Sequence, residues 1–290
     1  MVRRLVIELS ENGYDDTYIA LTTFGVDVGH PANTHTSASE YASTALLTAS
    51  DGAVRGLHDY YFGAASPDGL PEPAPITHDP WTQHRFRLFV SHVYNDRQRA
   101  MTLKASLDTY GIDAFVAHND IAPSAEWLAV IEYALGACDA FLALLTDGFR
   151  ESPWCDQEVG YAFAHGKLPI PARFDKREPH GLLGRKHALN LIDSGFSAPR
   201  ANARTVVQVL LNSQPSTAAR LVDAMVHRVV ESTSWNMTNE VLPWIAKAPG
   251  HVTEAHVSLL EGAMKSNIEV EQAFEAGPII EMLRSIVDAR

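Results

Sequence analysis

Apolar and polar positions fall into three regimes along the chain. Between residues 85 and 213, short apolar runs alternate with stretches whose apolar positions recur at helical spacing. The runs 86–90, 112–116, 140–145, 168–172 and 187–192 read as strands. Pro169 and Pro171 cannot both donate to a ladder, which predicts an irregular fourth strand. Between the runs, Ala100, Leu103, Leu107 and Tyr110 share a helical face that Gly111 stops. Leu128, Ile131 and Leu135 line a helix over 124–136, and 206–211 belongs to a closing helix. Strands alternating with helices predict an α/β domain with a parallel sheet and right-handed crossovers.

The flanks lack this alternation. Residues 1–63 read as a helical bundle with pieces at 2–10, 15–24, 37–48 and 52–62, broken at Asn12-Gly13, 29–36 and Ser50-Asp51. Prolines 67, 71, 73, 75 and 80 make 64–84 a stiff linker. Residues 214–290 form a second helical region, with stripes at Leu221/Met225/Val229/Val230, Val257/Leu260/Met264 and Ile279/Ile280/Leu283/Ile286. The domain reading is therefore 1–63, 64–84, 85–213 and 214–290.

Composition narrows the function classes. At 46% hydrophobic residues over 290 positions the chain can fill a core, and no apolar run approaches the ~18 residues of a membrane span. Glu8 and Glu11 interrupt what would be the apolar part of a signal peptide, so the expectation is a cytoplasmic protein. A formal charge of −12 argues against a nucleic-acid surface. The two cysteines, Cys138 and Cys155, suit a reducing compartment. No HExxH or CxxC-plus-His pattern occurs, so no metal is expected.

The stretch richest in chemistry is Ser152-Pro153-Trp154-Cys155-Asp156-Gln157-Glu158. Ser152 is a good N-cap and Pro153 fits the first helical position. Trp154 and Glu158 then lie four apart on one helix face, just past the apolar run 140–145. In an open α/β sheet the loop after a strand lines the ligand crevice. An indole to stack on a flat cation, with a carboxylate beside it, makes a candidate site. The competing reading packs Trp154 in the core and leaves Glu158 solvated.

Three stretches in order resemble a Toll/interleukin-1 receptor (TIR) domain of the bacterial type. They are Phe89-Val90-Ser91-His92, the run from Gly111 through Asp120-Ile121-Ala122-Pro123-Ser124, and the Trp154/Glu158 stretch. The resemblance covers residues 85–166 and leaves the helical ends uncovered. It implies a flavodoxin-like five-stranded parallel sheet ordered 2-1-3-4-5, which sets the loops after the first and third strands face to face.

Enzymatic TIR domains cleave NAD+ between nicotinamide and ribose, so the resemblance implies NAD+ as substrate and no cofactor. It makes Glu158 the catalytic residue and Trp154 the ring that stacks on nicotinamide. Ser91, His92 and Asp120 are the softer NAD contacts. Ser91 also reads as a strand terminator, and His92 as a structural residue. Asp120, Ile121, Ala122, Pro123 and Ser124 correspond to the mobile BB loop, the assembly element, although Pro123-Ser124 also reads as a loop and helix cap. Arg97 is a weak phosphate candidate, Asp96 reads as solvated and Cys155 as a half-buried thiol.

The family further implies self-association through the TIR domain, activation on oligomerisation, and a sensor or partner acting through the helical termini. A role in bacterial antiviral defence fits that organisation. The alternative class is a non-enzymatic adaptor that only mediates TIR–TIR assembly. A nucleotide-binding sensor is disfavoured, because no glycine-rich loop follows Val90.

Overall fold

The structure, a computed structural model, describes residues 38–50, 79–116 and 127–290, together with Val6, Leu9, Thr17, Leu21, Val26, 52–54 and Leu57. Packing divides the chain into two units: Met1–Asp79 with Ala117–Tyr133, and Pro80–Val116 with Ala134–Arg290.

In the first unit, α1 (Ala38–Thr48) presents Tyr41, Ala42, Ala45 and Leu46 as one stripe. They pack with Leu9, Leu21, Val26, Ala53, Val54 and Leu57. The break expected at Ser50 is a helix cap, its hydroxyl accepting from the Ala53 N–H at 3.2 Å. The remaining expected helices of this region lie mostly outside the described residues.

The second unit is built on β1 (Phe86–Ser91), α2 (Arg97–Asp108), β2 (Ile112–Phe115), the last residues of α3 (Trp127–Ala137), β3 (Ala140–Leu145), α4 (Pro153–Ala164), β4 (Leu168–Arg173), β5 (Leu189–Asn190) and α5 (Ala198–Leu211). The strands form one parallel sheet in the order β2-β1-β3-β4-β5, the flavodoxin-like arrangement that the motifs predict. β1 and β3 are buried nearly throughout, as inner parallel strands are; β3 is a continuous apolar run, and β1 is interrupted by Arg87 and ends at Ser91.

The fourth strand is more regular than its prolines predict. All six residues of β4 pair with β3. The Arg173 carbonyl accepts from the Leu191 N–H at 2.7 Å, so it faces β5. Pro169 and Pro171 alternate to that same side. The missing donors therefore fall where β5 does not reach, which leaves β5 two residues long instead of the six expected over 187–192.

One face of the sheet carries Phe86, Leu88, Val90, Ala140, Leu142 and Leu144. They share a single core with α2, α5 and the helices of the C-terminal region: α6 (Pro215–Val230), α7 (Trp235–Ala246), α8 (Glu254–Ser266), α9 (Ile268–Glu271) and α10 (Ala276–Asp288). α6 lies directly on β1 and β2. On the opposite face Phe89 stacks with Phe115 at 5.3 Å and with Phe141 at 5.8 Å. Trp81, inside the stretch read as linker, is buried 5.8 Å from Phe115, and the Thr82 N–H donates to Asp113 at 2.8 Å.

Candidate active site

The helix carrying Glu158 starts as its sequence dictates. Ser152 caps α4, its Oγ accepting from the Cys155 N–H at 3.3 Å, with Pro153 in the first turn. Cys155, Val159 and Ala162 form the buried stripe of α4 and hold it against β1, β3 and β4. Glu158 and Trp154 flank that stripe, and both are half-buried. Glu158 is thus neither a solvated helix residue nor part of the apolar core.

Alternation along β1 brings Ser91 to the same place. Leu88 and Val90 face the α2 core, so Phe89 and Ser91 face the side that α4 covers. Ser91 is 1% exposed, and its Oγ lacks a fully formed hydrogen bond. It faces the carboxyl of half-buried Glu158. Burial pushes the Glu158 pKa up to about 7, and the Ser91 hydroxyl pulls it partly back. A carboxyl shifted in this way in a sheet crevice makes a candidate site, because burying an isolated charge costs folding energy.

His92 is also buried at the tip of β1. Its Nδ1–H donates to the Val90 carbonyl at 3.1 Å, folding the ring back on its own strand. That contact favours the structural reading of His92. Asp120, Ile121, Ala122, Pro123 and Ser124 lie outside the described residues. Arg97 stacks over the Tyr94 ring at 4.3 Å. Cys155 is fully buried rather than half-buried, because it belongs to the inward stripe of α4.

The rim contains charges that the sequence reading missed. Asp96 is 5% exposed, not solvated, and Arg99 pairs with it. Arg99 also forks onto Asp193 of the loop after β5, at 2.7 and 2.8 Å. Arg177 of the loop after β4 pairs with Asp147 of the loop after β3 and with Asp175. The run Asp175-Lys176-Arg177-Glu178, directly after a strand, was the available signal for the second group. Nothing local signals the Arg99–Asp193 pair, whose members are 94 residues apart.

Among the described residues no group of His, Cys, Asp and Glu could hold a metal. A cavity of about 470 Å³ lies on the α2–β2 flank, lined by Thr82, Arg85, Met101 and Lys104 among others. It borders the start of β1, away from Ser91. Its carboxylates are already engaged, Asp113 by Thr82 and Asp108 by Arg228 at 3.1 Å. The strand-tip crevice beside Ser91 and Glu158 is the candidate site.

A five-stranded parallel sheet in this order defines the flavodoxin-like class of α/β domains. Residues 88–211 match the family model described as TIR domain. That central segment of the chain is a TIR domain. Comparison with curated proteins gives no match. No helix among the described residues is long and apolar enough to cross a membrane.

Proposed function

We propose that the protein is an NAD+ glycohydrolase that acts through Glu158. The carrying observation is the Glu158 carboxyl itself, held beside the tip of β1 and poised near neutrality by burial. A TIR domain that served only as a scaffold would gain nothing from a carboxyl in so costly a position.

The chemistry asks for little more. Heterolysis of the bond between ribose C1′ and the nicotinamide nitrogen sends the electron pair to the pyridinium ring, which leaves neutral and needs no acid. The ribose becomes oxocarbenium-like. An ionised Glu158 at ~4 Å stabilises that cation by a gross ~4 kcal/mol at an effective dielectric near 20, or ~10³-fold in rate if expressed only in the transition state. Water then adds at C1′ and its proton passes to Glu158, a base matched to neutral pH. The products are nicotinamide and ADP-ribose, or a cyclic ADP-ribose where adenine captures the cation in place of water.

Trp154 stacks on the nicotinamide cation, worth ~0.5–2 kcal/mol, and orients more than it accelerates. Ser91 and Asp120 complete the NAD+ contacts, while His92 stays a structural residue of the β1 tip. Self-association through the TIR domain, with Ile121, Ala122, Pro123 and Ser124 at the junction, activates a cytoplasmic protein, and the helical regions take the trigger from a partner. NAD+ depletion of this kind serves antiviral defence.

The test is nicotinamide release from NAD+ by purified protein, dilute and then concentrated or crowded, beside Glu158→Gln. The expected result is release that rises with assembly and is lost in the variant while its circular dichroism is unchanged. Equal release by the variant removes Glu158 from the mechanism. Self-association without any release leaves the adaptor reading.

A further inference from the structure

Three loops at the C-terminal edge of the sheet meet on one guanidinium. Arg99, in the first turn of α2, pairs with Asp96 of the loop after β1. Its Nε and Nη2 fork onto both oxygens of Asp193, in the loop after β5, at 2.7 and 2.8 Å. Its plane lies 5.2 Å from the Phe174 ring, directly after β4. These carboxylates hold the Arg99 pKa above its usual value, Asp193 foremost.

The two carboxylates are not equivalent. The Asp96 side chain is 7% exposed and that of Asp193 48% exposed. Leaving a carboxylate in the position of Asp96 is unfavourable unless it is paired. Asp96 ends the one-turn helix Tyr94–Asp96, four residues past His92 and five past Ser91. α2 packs on the sheet face opposite α4, so the tip of β1 has Glu158 on one side and the Arg99 pairs on the other.

We propose that Arg99 is a positioning residue: by tying Asp96 to Asp193 it holds the loop 92–96, which continues β1 past Ser91, at the height the crevice needs. The inference rests on the enzymatic reading of that crevice. A lysine cannot replace the arginine here, because one ammonium cannot fork onto Asp193 while also reaching Asp96. Arg99 touches no reacting atom, and its effect passes through the loop.

Asp193→Asn tests this cleanly, since it opens the outer half of the clamp and leaves Asp96 paired. Hydrogen exchange of residues 92–96, the melting temperature, and kcat and KM for nicotinamide release are measured for the full chain, beside Arg99→Lys. The expected result is faster exchange in 92–96 and a three- to tenfold higher KM for NAD+, with kcat and melting temperature nearly unchanged. Arg99→Lys should behave alike.

Unchanged exchange in both variants overturns the clamp, as does faster exchange with an unchanged KM in active protein. A purely structural role would instead lower the melting temperature and spare KM. If the wild-type chain releases no nicotinamide, the enzymatic reading fails by itself, and the exchange measurement still decides whether Arg99 holds the loop.

Discussion

The Tyr110 hydroxyl donates a hydrogen bond to the Glu240 carboxylate, 130 residues further along the chain. Tyr110 lies in the turn after α2 of the α/β domain, whereas Glu240 sits on α7 of the C-terminal helical region, where Arg200 and Arg204 of α5 also reach it. The C-terminal helices and the sheet therefore share both a polar junction and an apolar core. Removing residues 214–290 would uncover the β1–β2 face and lose buried Leu221, Val222, Met225, Val226 and Val229. At ~1.5–3 kcal/mol per large apolar side chain, this loss reaches the ~5–15 kcal/mol that stabilises a whole domain. We expect a chain ending at residue 213 to show no cooperative thermal transition. Retention of one in calorimetry would mean that the α/β domain folds alone.

Glu240 also predicts acid sensitivity. Burial alone would push its pKa up, but hydrogen bonds from Arg204, Arg200 and Tyr110 together hold it at about 2. A depressed carboxylate contributes stability above its unfolded pKa near 4.5 and loses it as pH falls toward 2. The contribution at neutrality is ~3 kcal/mol, converted at 1.36 kcal/mol per unit. Glu240→Gln should lower denaturant stability at pH 7 by about 2–3 kcal/mol, with the difference from wild type shrinking below pH 4.5. A difference that stays constant from pH 7 to 3 would contradict this account.

At Gly111 the backbone leaves no room for a side chain. Its φ is 73°, and an added Cβ would stand 2.6 Å from the Ala224 carbonyl oxygen on α6. Both the left-handed conformation and the close approach require glycine. Gly111→Ala should cost about 2–4 kcal/mol, combining ~1–3 for backbone strain with displacement of α6. Urea denaturation measures it, and a cost below 1 kcal/mol would show that α6 yields easily.

What could be read from the chain follows from how local each cause is. β1 and β3 were evident because an inner parallel strand is apolar at nearly every position, and α4 because Ser152 and Pro153 cap it within four residues. The side of β4 on which Pro169 and Pro171 lie depends on its neighbours, so its regularity and the shortness of β5 were hidden. The stripes of 214–290 were visible as helices, but nothing in their spacing says that they pack on β1 and β2. The catalytic candidate was legible as a Trp–Glu pair one turn apart. The Arg99–Asp193 and Tyr110–Glu240 partners were not, because each joins segments that only the fold brings together.

Glu158 carries a prediction of opposite sign to that of Glu240. Its pKa is raised from 4.5 to about 7, so the folded state binds the extra proton. The Glu158 contribution to stability is greatest below pH 4.5, falls as pH rises to 7, and stays lowered above it. Ionisation costs up to about 3 kcal/mol, less whatever solvent screening the exposed part of the residue supplies. Glu158→Gln should match the wild type at pH 4.5 and exceed its stability at pH 8, while losing nicotinamide release, a trade of stability for activity. Denaturant titrations at the two pH values decide it, and a variant less stable at pH 8 would refute the burial argument.

Ser91 separates two roles for a hydroxyl in this crevice. Its Oγ opposes the desolvation of Glu158 by favouring the ionised carboxylate. Removing it in Ser91→Ala should raise the Glu158 pKa further, moving the acid limb of kcat/KM for nicotinamide release upward by about half to one pH unit. Release at pH 6 should then fall roughly three- to tenfold while release at pH 9, where the carboxyl is ionised in either protein, stays near that of the wild type. A hydroxyl that only binds the ribose would behave otherwise, raising KM by a similar factor at every pH and leaving the limb in place. The pH profile of the variant therefore tells protonation control from substrate contact. Ser91→Thr keeps the hydroxyl and should restore the wild-type limb wherever the added methyl group fits.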